Sequence, residues 1–151
     1  MSTMTAQPTR VYSVFVRATP EQLWDAITKP EFTVKYFHGT VIDSTWKAGG
    51  KYCGFSADHS EQFVDGEIIE ASPPRKLVTT WRALWAEQLA REPYSRVTWE
   101  IEPAGDGVSK LTVIHDELEA SPQTAEKVGG GWSFVLSGLK TVVETGEPLS
   151  D

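Results

Sequence analysis

Asparagine is absent from the 151 residues, cysteine occurs once, and positive charge is scarce, with 14 Lys+Arg against 21 Asp+Glu. Without Asn there is no N-glycosylation sequon, and Cys53 alone cannot close an intramolecular disulfide, so the chemistry of secreted proteins is missing. The net charge of −7 leaves no chain-wide positive field to draw in phosphate backbones or anionic headgroups, which argues against nucleic acid as a partner. Residues 1–10 are polar and lack the apolar segment of a signal peptide. No apolar run reaches the roughly 18 residues of a spanning helix, so no membrane insertion is expected. The expected location is the cytoplasm.

Catalytic signatures are equally sparse. His38, His59 and His115 show no metal-binding spacing, and one Cys supports no structural zinc set, so neither a metal nor another cofactor is expected. There is no GxSxG elbow, P-loop or GxGxxG, and His59-Ser60-Glu61 lacks the Pro-Cys-x-x-Cys half of a deaminase signature. Asp65, Glu67 and Glu70 share one strand and read as a solvated face, because an acid/base pair would need burial that separates their pKa values. Cys53 reads as a small strand residue; a reactive thiolate would need a cationic neighbour, and Lys51 shares its parity. No catalytic residue is assigned.

What the sequence has in excess is aromatic rings: six Trp, six Phe and four Tyr, or 11 % of the chain. A chain of this length buries roughly 70 % of its unfolded surface, enough for a core without disulfides. The rings therefore pack that core or line a cavity within it.

Residues 10–17 are β-branched and aromatic on both parities, which predicts an inner or well-packed strand. Thr19-Pro20-Glu21 supplies an N-cap and a first-turn proline for a short helix with Leu23, Trp24 and Ile27 on one face, and residues 31–37 extend a second helical turn. Six strands follow, at 40–46, 51–57, 62–71, 76–84, 95–103 and 109–118, separated by turn signals such as Gly105-Asp106-Gly107. The link at 83–94 has room for one helical turn and reads as a lid. Ser121-Pro122 marks another helix start, and Gly129-Gly130-Gly131 reads as a hinge or the entry to the last helix. In that helix Trp132, Val135, Leu136, Leu139, Val142 and Val143 form one apolar stripe, and Gly146 and Pro148 end it. Residues 1–9 and 149–151 read as tails around one unit at 10–148.

The stretches TPEQLWDAITKPE, AGGKY, DGEIIEASPPRKLVTTW, SRVTWEIEPAGDGVSKLTVIHD and GGWSFVLSGLKTVVETGEPL, in that order, resemble the START-like (SRPBCC, Bet v 1-like) superfamily. Within it they are most similar to the branch related to the C-terminal domain of the activator of Hsp90 ATPase. The resemblance implies an α+β helix-grip fold: a curved antiparallel sheet of about seven strands wrapped around a long C-terminal helix, with two short helices after the first strand. It also implies a space between sheet and helix. Strand parity puts Val97, Trp99, Val113 and His115 on the concave face, opposite Trp132, Val135, Leu136 and Leu139, with Phe37, Phe55, Trp81 and Trp85 at the mouth. His115 is the one polar residue in phase with that apolar face, read as a structural histidine bonded to backbone or Asp116 unless it reaches the space. The expected function is non-catalytic binding of a hydrophobic small molecule, lipid-like or aromatic. The alternatives are a protein-binding module of the Hsp90-activator kind and an enzyme of cyclase or hydrolase type. Oligomeric state is not readable.

Overall fold

A computed structural model describes residues 9–149; of the expected tails at 1–9 and 149–151, residues 1–8 and 150–151 lie outside the described residues. The elements run β1 (Arg10–Val16), α1 (Pro20–Thr28), α2 (Pro30–Tyr36), β2 (Thr40–Ser44), β3 (Lys51–Ser56), β4 (Gln62–Ser72), β5 (Lys76–Ala83), α3 (Glu87–Ala90), β6 (Ser95–Pro103), β7 (Ser109–Asp116) and α4 (Pro122–Thr145). The seven strands form one antiparallel sheet in the order β1-β7-β6-β5-β4-β3-β2. Meander connections put sequential strands side by side, and only β1 is carried to the far edge, where it pairs with β7.

Strict alternation gives the sheet its two faces. Leu77, Thr79, Trp81 and Ala83 on β5, Ser95, Val97, Trp99 and Ile101 on β6, and Ser109, Leu111, Val113 and His115 on β7 are all buried. These concave-face residues meet the stripe of α4 formed by Trp132, Val135, Leu136, Leu139 and Val142. The outer face carries the charges: Arg82 forks onto Asp65 at 3.0–3.1 Å, and Arg96 onto Asp116 at 2.7–3.0 Å.

Two expectations are corrected. β1 is an edge strand rather than an inner one, with Val11 60 % and Phe15 56 % exposed while Tyr12, Val14 and Val16 turn inward. Its apolar parity on both faces reflects an outer face left open. The three glycines do not begin or hinge the last helix, because α4 runs unbroken for 24 residues from Pro122 through them to Thr145. Their propensity penalty, about 1 kcal/mol each relative to Ala, is offset by the packing of the flanking stripe.

The helix starts are anchored as the residue types require. Thr19 and Gln22 form a reciprocal capping box on α1. Ser121 precedes α4, but its hydroxyl donates to the Pro93 carbonyl instead of capping. The cap comes from Glu92, whose carboxylate accepts from the Gln123 and Thr124 amides and the Thr124 hydroxyl at 2.7–3.0 Å. Burial would raise the Glu92 pKa, yet these bonds hold it below the usual carboxylate value. With Leu89 fully buried, the link is pinned at its far end and only its first half crosses the mouth of the interior.

Candidate functional site

The concave sheet and α4 do not close completely. Between β2, β4, β5 and the middle of α4 lies a cavity of about 360 Å³, within the range of about 300–1,000 Å³ typical of small-molecule sites. Five aromatic rings form most of its wall: Phe37, Phe63, Trp81, Trp85 and Trp132. They brace one another, Trp81 meeting Trp85 edge-on at 5.8 Å and Phe37 meeting Trp132 at 5.9 Å. Val64, Val128 and Val135 complete the apolar lining. Trp85, 49 % exposed, stands at the solvent side with exposed His38 and Lys127.

Gly131 forms part of the helix-side wall. A β-carbon there would meet no heavy atom within 4 Å, so the empty volume begins where a side chain would otherwise project from α4. At Gly138, two turns on, a β-carbon would stand 3.1 Å from the Tyr36 β-carbon, and the missing side chain instead lets α2 pack against α4.

Behind the aromatic wall lies a directed hydrogen-bond chain. The Trp132 indole can only donate, so its 3.0 Å bond makes His115 Nδ1 an acceptor. His115 Nε2 then carries the proton and donates to Ser95 Oγ at 2.6 Å, and Ser95 donates to the Trp81 carbonyl at 3.1 Å. Every polar atom in the chain is satisfied by a neutral imidazole. A proton on Nδ1 would face the indole N–H, and burial, the main cause, pulls the His115 pKa down to about 4. The Asp116 carboxylate opposes this shift from the other face of β7, where it is engaged by Arg96.

Of the residues expected at the site, Phe37, Trp81, Trp85, Trp132 and Val135 line the cavity. Val97, Trp99, Val113, Leu136 and Leu139 are packed core outside its lining, and His115 stands behind it, bonded to Ser95 and Trp132 rather than to backbone or Asp116. Phe55 is on the wrong face: Tyr52 and Gly54 turn inward, so Phe55 turns outward and stacks on His59 at 5.1 Å. Its place is taken by Phe63. Gly54 pairs with Val64 and Phe55 with Gln62, which leaves Phe63 as the extra residue of a β-bulge and re-aims its ring into the cavity. Strand parity alone gives no sign of that inversion. Cys53 is part-buried on β3, and its thiol pKa is raised by burial and then by Asp65, outweighing Lys51. Among the described residues no group of three His, Cys, Asp or Glu could hold a metal ion.

The fold and its cavity define a helix-grip protein of the START-like class. Residues 17–144 match the family described as Activator of Hsp90 ATPase homolog 1-like protein, and the chain belongs to that family. Among solved structures it is similar to an HSP90 activator from Plasmodium falciparum, PFC0360w, at 25 % identity and a TM-score of 0.71, covering 93 % of this chain and 97 % of that one. CalU16 from Micromonospora echinospora is 22 % identical at a TM-score of 0.70, with 91 % and 77 % covered. The Aha1 dimer from Colwellia psychrerythraea is 14 % identical at 0.70, with 91 % and 97 % covered; the last two likenesses are of fold alone. No curated protein matches the chain. Among the described residues no helix is long and apolar enough to cross a membrane.

Proposed function

We propose that the chain binds a hydrophobic small molecule, aromatic or lipid-like, in the cavity between sheet and helix, without chemical turnover. The observation that carries this reading is Gly131, a glycine inside a long helix with open space where its side chain would lie, facing five rings. Burying about 150 Å² of apolar ligand surface there would contribute roughly 4 kcal/mol before the costs of association. Among the described residues no carboxylate lines the cavity, and both nitrogens of His115 behind it are engaged, so neither a carboxylate nor His115 is offered to a ligand as a general base.

The test is a titration with neutral apolar compounds, 2-(2-naphthyl)ethanol and decanol, followed through the indole N–H signals of Trp81, Trp85 and Trp132 by two-dimensional NMR. Saturable shifts at these three indoles are expected, abolished in Gly131→Leu, which fills the space. Absence of shifts with both compounds refutes the reading.

A second reading, protein binding, is favoured by the exposed pair Val11 and Phe15 on the outer face of β1 and by the family's Hsp90-activator members. A stoichiometric complex with an Hsp90 that is lost in Phe15→Ser but retained in Gly131→Leu would support it.

A further inference from the structure

The charged and polar groups of the cavity are not balanced in sign. Among the described residues its lining includes Lys127 and His38 and no Asp or Glu, in a chain whose net charge is −7. Lys127 also differs from Lys140, the other lysine of α4. Lys140 pairs with Glu144, four residues along the same helix. The corresponding neighbours of Lys127 are Gln123 and Gly131, and among the described residues it forms no ion pair. Gly131, one turn along and also in the lining, has open space where a β-carbon would lie. His38 stands at the same mouth with a left-handed φ of 54°, its ring stacked on Phe134 at 6.0 Å.

We infer that the ligand is a hydrophobic carboxylate, its apolar body among the rings and its single anionic head at the mouth against Lys127, with His38 as a second donor. This rests on the cavity being a ligand site, as proposed above. The body is confined to roughly the size of a fused bicyclic ring or a medium alkyl chain by the 360 Å³ volume. The chain's overall negative charge does not oppose this at physiological salt, because exposed charges more than about 8 Å away are largely screened while a contact pair is not. A partly exposed ion pair of this kind is worth about a factor of five in affinity.

The experiment compares 2-naphthylacetate with 2-(2-naphthyl)ethanol, nearly the same shape with and without the charge, on the full chain at constant salt. In the unmodified protein the carboxylate should bind roughly fivefold tighter than the alcohol. In Lys127→Gln the two should come within about twofold, the carboxylate losing more affinity than the alcohol; because Lys127 is exposed, the substitution leaves the fold intact. Equal affinity of the two compounds in the unmodified protein overturns the carboxylate inference and leaves the cavity reading standing. A preference that survives in Lys127→Gln overturns it too. If neither compound shifts the three indoles, the cavity reading fails and this inference fails with it.

Discussion

The two ends of the interface between α4 and the sheet use the same helical stripe to opposite purposes. Toward Leu139 the stripe belongs to a solid core with Leu23, Ile101 and Leu111, all fully buried, and Gly138 draws α2 to within contact distance. Around Gly131 it is met by rings too large and too mutually braced to collapse onto the helix, and the space stays open. A glycine in the first setting permits packing, and a glycine in the second preserves a void. The difference teaches that the cavity follows from which residues face α4 as much as from α4 itself: aliphatic side chains interdigitate, while rings held edge-on leave a gap.

Truncation should separate the two ends most strongly. Leu139→Ala at the packed end is expected to lose about 3 kcal/mol of unfolding free energy in urea, against under about 1 kcal/mol for Trp85→Ala at the half-exposed mouth. Equal losses would mean that the mouth is as tightly packed as the core.

Acid should act on the wall between them. The folded pKa of His115, about 4, lies below the 6.5 of an unfolded chain, so the unfolded state takes up the proton first. The contribution is therefore whole above pH 6.5, declines as pH falls, and is lost by pH 4, a total of roughly 3 kcal/mol. Urea denaturation across this range should show the fall in the unmodified protein and a shallower one in His115→Leu. Parallel curves would place the acid sensitivity elsewhere.

The smallest effect is the most diagnostic. Gly131→Ala should stabilise the protein by up to about 1 kcal/mol, since the methyl meets nothing and helix propensity improves. Gly138→Ala should be destabilising by a similar amount, because the new methyl presses on the Tyr36 β-carbon, which sits on a helix backbone and cannot swing away. Thermal melts of the two variants should therefore move in opposite directions.

Much of the scaffold was legible because its signals are local. Thr19-Pro20 and Ser121-Pro122 mark helix starts, the alternation of residues 95–101 and 109–115 marks two concave-facing strands, and the α4 stripe has clean helical spacing. The site was legible only in part. Trp81, Trp132 and Val135 follow from periodicity, but whether a ring lines a cavity or fills a core depends on its partners across the fold, which is why Trp99 and Leu136 proved to be packing. Phe63 was hidden by a bulge whose existence depends on the pairing of β3 with β4. Lys127 and Gly131 were hidden because the continuity of α4 through three glycines is decided by tertiary packing against local propensity.

The far edge of the sheet carries one more consequence. Lys140 on α4 donates to the Phe15 carbonyl and Glu144 accepts from the Arg17 amide, each at 2.8 Å, and the two side chains are joined to each other. An edge strand with bare main-chain groups and outward Val and Phe side chains is a template on which another chain can add a strand. Here the gripping helix occupies part of that template with its own charged side chains, so the contact that fastens β1 to α4 also limits the sheet's growth beyond seven strands into polymer.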